Sequence, residues 1–397
     1  MSLPHPFSKA VPVLHRMKAA GFEAYFVGGS VRDYLLKRDI HDVDIATSAL
    51  PIETKEIFEN TIDIGIDHGT ILVKFQGEAY EITTFRSEAE YNDFRRPDQV
   101  QFIRSLREDL QRRDFTMNSI AMNENGDLID PFHGQKALMK RQVQTVGNAE
   151  DRFQEDALRM MRAVRFVSQL CFELAPSTKM ALQEHASLLK HIAVERIYAE
   201  MCKLINGKNK VHALEIMVDT GLFRYLPGME DKKKTLIKLI DYLPYIHGEM
   251  QFWLLFLSLC PSMNSKMFLT SWRMPNKKIN FLLKAQSSLA ERHQKDWNNY
   301  TIYRAGIETM LEVEMVYAAL HKIPNQVHEL TRRYENLPIK DRQELSVNGS
   351  DLLTWSGRAG GPWVKELLAD IEKNVVEEKI VNEQLAIRKW IQQCNRL

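Results

Sequence analysis

Two rhythms of apolar and polar residues divide the chain. Up to about residue 140, apolar runs of strand length alternate with short helical stretches. Ala24-Tyr25-Phe26-Val27 is a β-prone run that ends at Gly28-Gly29, and Val31-Arg32-Asp33-Tyr34-Leu35-Leu36 after it has helical texture. Val43-Asp44-Ile45 alternates apolar and acidic positions, as a half-buried strand does. Residues 71–75 and 80–85, on either side of Gln76-Gly77-Glu78, predict a β-hairpin around the glycine. From about residue 150 the strand signals vanish. Leu, Met, Glu and Lys at helical spacing predict an all-α remainder of about 250 residues. Its breaks fall near Pro227-Gly228, Pro261, Pro275 and Pro324, and at the glycine-rich turn 357–362. The predicted class is α+β, a head with a small, mostly antiparallel or mixed sheet followed by a helical arm.

Bulk properties narrow the function classes without naming one. The 397 residues allow two to four domains, and 44% hydrophobic with 26% charged content is ordinary for a globular protein. A net charge of +1 gives no global basic character, although a local basic surface suffices for a nucleic acid. Four scattered cysteines, with no C-x-x-C pair, argue against a structural zinc site or a disulfide scaffold. No signal peptide pattern opens the chain. The longest apolar run, 252–260, is far short of the roughly 20 residues of a membrane span and reads as a core helix. These features predict a cytoplasmic protein with no membrane association and imply no protein partner. The six tryptophans, all in the arm, read as core. The charge runs 231–234 and 332–334 fit a solvated surface better than a phosphate contact, and no histidine, His68 and His133 included, is given a catalytic role.

The chemistry concentrates in two places. Gly28-Gly29-Ser30 stands between a strand and a helix, where glycine lets backbone approach a phosphate and the helix N-terminus offers free N–H groups. Asp42-Val43-Asp44 follows. On a strand, residues i and i+2 share a face, so two carboxylates stand side by side next to that turn. Such a pair repels unless a cation sits between them, and magnesium suits oxygen ligands completed by substrate phosphates. Two such ions can clamp an in-line displacement. No G-x-x-x-x-G-K-[ST] loop is present, which excludes a P-loop ATPase. The second place is 151–166, read as one helix with Phe153, Ala157, Met160 and Val164 on its buried face. Asp156, Arg159, Arg162 and Arg165 recur every third residue on another face. An acceptor beside a donor matches the Watson–Crick edge of cytosine and of adenine, and mismatches guanine and uracil. A plain i,i+3 surface ion pair is the alternative.

The Gly-Gly turn followed by Asp-x-Asp resembles the DNA polymerase beta nucleotidyltransferase superfamily. With 28–33, 42–47, 68–70, Arg112-Arg113-Asp114-Phe115-Thr116-Met117-Asn118, Glu155-Asp156-x-x-Arg159, 195–197 and 348–353, the chain resembles the bacterial class II CCA-adding enzymes, which are CCA tRNA nucleotidyltransferases. The resemblance is strong over about the first 210 residues and weaker in the tail. It implies a seahorse shape, with a catalytic head at 1–145, a base-recognising neck at 146–207, and tRNA-binding helical body and tail at 208–295 and 296–397. It implies that Asp42 and Asp44 are catalytic and bind Mg2+, with Glu81 as a candidate third carboxylate. Gly29, Arg32 and Arg113 would contact the nucleotide, Asp156 and Arg159 would read the base, and Arg162 and Arg165 would stand nearby.

The implied activity is template-independent addition of C, C and A to the tRNA acceptor end from CTP and ATP, releasing pyrophosphate. CC-only or A-only addition, a bacterial poly(A) polymerase, and a noncatalytic tRNA binder with a relic head are the alternatives. A loop at about 86–102, containing Tyr91-Asn92-Asp93-Phe94-Arg95-Arg96-Pro97, favours full addition. Ala137, Gln144 and Ser119 depart from the family pattern, which touches head–neck packing more than chemistry.

Overall fold

The computed structural model describes residues 3–88 and 100–394. The chain forms two compact units, Met1–Lys233 and Lys234–Leu397. The loop segment 91–97 lies outside the described residues.

The first unit opens with α1 (Phe7–Ala19), β1 (Ala24–Val27), α2 (Gly29–Leu35), β2 (Asp44–Thr47) and α3 (Pro51–Ile57). It continues with β3 (Thr61–Gly65), β4 (Thr70–Phe75), β5 (Glu78–Thr84), β6 (Arg86–Glu88), β7 (Val100–Phe102), α4 (Leu106–Gln111), β8 (Ala121–Met122) and β9 (Leu128–Ile129). Seven of these strands make one sheet in the order β3-β4-β5-β2-β1-β8-β9. All its pairs are antiparallel except β2–β5. The hairpin turns where the glycine predicted it: Gln76 and Gly77 both take positive φ, 51° and 83°, as a tight right-twisting turn requires. Burial alternates along β4 and β5. Ile71, Val73, Tyr80, Ile82 and Thr84 are buried, whereas Lys74, Ala79 and Glu81 face out. Phe7 of α1 packs on Phe26 of β1 at 4.9 Å between ring centroids, and α1 also touches α3.

Next come α5 (Gly134–Met139), β10 (Gln142–Val143), α6 (Ala149–Glu155), α7 (Leu158–Leu170), β11 (Glu173–Leu174), α8 (Pro176–His185), α9 (Val194–Ile205) and α10 (Lys210–Asp219). Two sequence readings change here. The parallel pair β10–β11 places a short strand beyond residue 150. The segment 151–166 is two helices, not one. Asp156 leaves α6 in an extended conformation, φ −140° and ψ 103°, and its Oδ1 accepts the Leu158 N–H at 3.0 Å. A short acidic side chain competes with the backbone for its own neighbour's N–H, and that favours a break over a helix interior. The three departures from the family pattern are accommodated. Ser119 is buried with its hydroxyl donating to the Leu110 carbonyl, Ala137 is buried, and the Gln144 carbonyl accepts the Thr116 N–H.

α11 (Lys233–Ile240) crosses the division between the units. In the second unit, α12 (Gly248–Ser258) is the core helix foreseen from its apolar run, with 251–257 buried throughout. Trp253 and Trp272 are fully buried and Trp297 nearly so. Trp355, Trp363 and Trp390 are only half-buried, so half of the tryptophans are not core. Three helices farther on the chain hide a charge. Glu314 is 0% exposed and accepts hydrogen bonds from Arg292, from the Trp297 indole at 2.9 Å and from the Gln326 N–H at 3.2 Å. Truncating one partner of a buried pair strands the other charge. Glu314→Ala is therefore expected to lower unfolding free energy by about 3–5 kcal/mol, read from the denaturant midpoint. A loss within the error of the midpoint would show that Arg292 is solvated.

Candidate functional site

The Gly-Gly turn needs glycine at its first position. Gly28 caps α2 with φ +73°, and a Cβ there would meet Asp44 Oδ2 at 3.3 Å and Arg113 Nη1 at 3.4 Å. The absent side chain thus lets an acid and an arginine close on the turn. Gly29 begins the helix, and its N-terminal amides stand beside Asp44 on β2.

The acids are placed by strand register. Asp44 opens β2 and pairs directly with Val27 on one side and with Glu81 of β5 on the other. Asp42 precedes the strand, is exposed, and sits just outside the lining of the adjoining cavity. Asp42 thus lies ahead of the strand on which both acids were expected, while Asp44 gains Glu81 as a cross-strand neighbour and Asp42 is near enough to act on its charge. Asp44 is itself exposed at the start of the strand, yet the surrounding protein desolvates its carboxyl and raises its pKa, Glu81 and Asp42 push it further, and Arg113 and Arg32 oppose them. A carboxylate held above its ordinary range by neighbouring acids is one that a cation would relieve. Among the described residues, no three His, Cys, Asp or Glu side chains form a closed metal cage. The oxygen-only donors fit a hard cation that completes its shell with phosphates and water.

Beside Asp44 opens a cavity of about 560 Å³. Its walls carry eight arginines (32, 86, 112, 113, 159, 162, 165 and 196) against three aspartates (44, 114 and 156). Of the site residues expected from sequence, Gly29, Arg32, Asp44, Arg113, Asp156, Arg159, Arg162 and Arg165 all line it, whereas Asp42 and Glu81 do not. An enclosure so rich in guanidinium suits a polyanion, because the planar fork binds two phosphate oxygens at once.

Buried carboxylates hold these arginines in place. Asp109, 1% exposed, accepts from Arg112 at 2.7 Å and from Arg113 at 2.9 Å. Asp114 takes Arg162 Nε at 2.7 Å, the Asn118 amide at 3.1 Å and the Phe115 N–H at 2.8 Å. Asn118 Oδ1 in turn accepts from Arg32 at 2.8 Å. Arg165 pairs with Glu200 at 2.6 Å and lies 3.9 Å from the Phe166 ring centre. Burial brings Arg165 down to about 10, with Glu200 opposing, so it stays charged at neutral pH.

The residues expected to read the base, Asp156 and Arg159, meet here in a geometry the spacing did not show. Asp156 Oδ2 accepts from Arg196 at 2.8 Å. Arg159 pairs with Glu155 and donates to the backbone carbonyls of Arg152 at 3.2 Å and Arg112 at 3.1 Å. They are joined through backbone, the Arg159 N–H bonding the Asp156 carbonyl at 2.9 Å, and not as an ion pair with each other. Sequence reasoning assigned no role to Asp109, Asn118 or Arg196. The first two stand in or beside the 112–118 stretch, which marks the region. Arg196 comes from α9, some 40 residues downstream of Asp156, and no spacing rule connects them.

Three regions match protein-family models. Residues 24–144 match the Poly A polymerase head domain, 171–233 a probable RNA and SrmB-binding site of polymerase A, and 245–391 a putative tRNA nucleotidyltransferase domain 2. A CCA-adding enzyme of Bacillus cereus (strain Q1) is 47% identical over 397 residues, covering 98% of this chain and 99% of that protein. The crystal structure of the Bacillus stearothermophilus CCA-adding enzyme in complex with CTP superposes with a TM-score of 0.92 at 45% identity, covering 99% of this chain and 98% of the other. A tRNA nucleotidyltransferase complexed with a primer tRNA and an incoming ATP analog gives 0.62 at 26% identity, over 81% and 97%.

Burial alone would raise the Asp114 pKa. The Arg162 charge and the bonds from Asn118 and Arg162 overcome it and hold it at about 2, against an ordinary 3.8. A depressed carboxylate stabilises the fold above its unfolded pKa, and that contribution is lost as pH falls from about 4 to about 2. The protein should lose about 2–3 kcal/mol over that window through this group. Denaturant titrations across it should show a shallower loss for Asp114→Asn than for the wild type, and parallel curves would refute the assignment.

Proposed function

The chain belongs to the CCA-adding enzymes, and from that membership we propose that it adds C, C and A to the 3′ end of tRNA, taking CTP and ATP and releasing pyrophosphate without a template. The observation that supports this reading best is the junction of Asp44, Glu81 and the Gly28-Gly29 turn with the arginine-lined cavity that also holds Asp156 and Arg159.

Each group has a task in the proposed reaction. Arg32 and Arg113, with the α2 N-terminus at Gly29, grip the triphosphate, and Arg162 and Arg165 extend the positive wall. Asp156 accepts from the exocyclic amine of cytosine or adenine, and Arg159 donates to the adjacent ring nitrogen. Uracil and guanine present the opposite order of donor and acceptor, and mispairing a buried charge costs about 1–3 kcal/mol or more. Arg196 and the Leu158 N–H fix the Asp156 carboxylate, and Glu155 fixes the Arg159 fork. The tRNA 3′-oxygen then forms a bond to the α-phosphorus, the bond to the bridging oxygen of the β-phosphate breaks, pyrophosphate leaves, and the hydroxyl proton passes to solvent. Asp42 and Asp44, with Glu81 beside them, are the residues that would hold divalent metal, taken as Mg2+, for two-metal chemistry. Metal bound there supplies acidification of the hydroxyl and neutralisation of charge developing at phosphorus.

The head spans 1–145, the neck 146–207, the body 208–295 and the tail 296–397, the last two gripping tRNA. No helix among the described residues is long and apolar enough to cross a membrane, and the reaction belongs in the cytoplasm with its tRNA. Poly(A) polymerases share the head model, but a match at 245–391 to a tRNA nucleotidyltransferase domain favours tRNA.

Three measurements test this. A tRNA lacking its last three nucleotides, offered each labelled NTP, should grow by two with CTP and by three with CTP and ATP. Growth by one or two only would make the enzyme a partial adder, and a long A tract would make it a poly(A) polymerase. Asp42→Ala should lose at least about a thousandfold in incorporation while binding tRNA nearly as before, and robust activity would end the metal assignment. Exchanging the two charges, Asp156→Arg with Arg159→Asp, should move preference toward UTP or GTP. Retained activity with unaltered selectivity would remove the base-reading role.

A further inference from the structure

The strand pairings set four side chains in one row across the head sheet. Ile62 of β3 stands opposite Leu72 of β4, Leu72 opposite Glu81 of β5, and Glu81 opposite Asp44 of β2. Directly opposed residues point to the same side of a sheet. Two aliphatic side chains therefore continue the line of two carboxylates, on the side away from buried Ile71, Val73 and Ile82. Ile62 is 44% exposed and Leu72 half-buried. An edge strand ordinarily carries charge or a covering element. Among the described residues this aliphatic step beside the acids stays partly exposed, and it calls for an occupant.

Strand order identifies it. Beyond Asp44 on one side lies β1, then the Gly28 turn and the α2 N-terminus, where the triphosphate is gripped. On the other side lie β5, β4 and β3. In an in-line displacement the attacking oxygen stands opposite the leaving group. If pyrophosphate departs toward β1 and the arginines, the RNA end must come in over β5 and β4.

We propose that Ile62 and Leu72 form the shelf on which the last nucleotides of the tRNA 3′ end rest while the terminal hydroxyl reaches Asp44. This rests on the nucleotidyl-transfer reading above and adds the place of the acceptor strand. Three strand spacings carry the shelf about 14 Å from Asp44, enough to support the terminal ribose and the base behind it. Its chemistry also suits the task. The terminal base differs from one round of addition to the next, and aliphatic side chains contact the face of any base without reading its edge.

The experiment compares the full-length wild type with the double variant Ile62→Ser, Leu72→Ser and with the single variant Ile62→Ser. The substrate is a tRNA lacking only its final A. The expected result is a KM for tRNA raised about tenfold in the double variant and less in the single one, with KM for ATP unchanged. An unchanged KM for tRNA, or an equal rise for ATP, overturns the shelf. A second measurement covers the case in which the double variant unfolds. The chain carrying the photoreactive residue p-benzoylphenylalanine in place of Ile62 should crosslink to the last two nucleotides of 3′-labelled tRNA. Crosslinks confined to the rest of the tRNA, or none, overturn it too. A wild type that adds nothing to tRNA would defeat the functional reading itself, whereas an active wild type matched by its variants would defeat only the shelf.

Discussion

Guanidinium groups repel, and four of the eight around this cavity are held by buried carboxylates interleaved among them. Asp109 restrains Arg112 and Arg113, Asp114 restrains Arg162, and Glu200 restrains Arg165. Each of these acids spends its charge on arginine, so the wall keeps its excess positive potential without flying apart. The rest of the head serves this arrangement. α4 carries Asp109, the turn that follows carries Asp114 and Asn118, and α7 and α9 bring their arginines and Glu200 to the same place. A preorganised cage of this kind costs little reordering when a polyanion enters, which is the condition under which charge stabilisation is most effective.

The acid side of the site follows another logic. Asp44 is not neutralised within the protein to the extent that Asp114 is. Partial desolvation by the surrounding protein and its acidic neighbours hold the proton affinity of this exposed group above the ordinary range, while Asp114 sits far below. Two aspartates in one cavity are thus tuned in opposite directions. One is committed to holding an arginine, and the other stands among acids.

Much of this was legible in the residues, and the failures have physical causes. The strand–turn–helix at 24–35, the β4–β5 hairpin and the all-helical second half follow from apolar periodicity and glycine placement, which are local. The cavity residues Arg32, Arg113, Arg159, Arg162 and Arg165 were foreseen because they fall in short motifs. The break at Asp156 was not, since periodicity continues through it. Only the competition of its side chain for the Leu158 N–H shows that the helix stops. Glu81 entered only through the family resemblance, because its place beside Asp44 rests on a parallel pairing between strands far apart in sequence, and Arg196, which reaches Asp156 from another helix, was missed. Such contacts are set by tertiary packing, which no single-sequence spacing encodes. The tryptophans show the same limit. Their type says apolar, but Trp355, Trp363 and Trp390 stay half-exposed.

The parallel pairing of β2 with β5 has a consequence for how this head tolerates change. Glu81 stands beside Asp44 because of a count of backbone hydrogen bonds, a register that the Thr70–Thr83 hydroxyl pair and the bond from Thr84 to the Ala49 carbonyl help to hold. Shifting β5 by one residue would turn Glu81 into the core and bring Tyr80 or Ile82 out in its place. Losing a single codon between the hairpin turn and Glu81 would therefore harm the enzyme more than exchanging any one side chain along that stretch, whereas added residues at the turn tip would be absorbed.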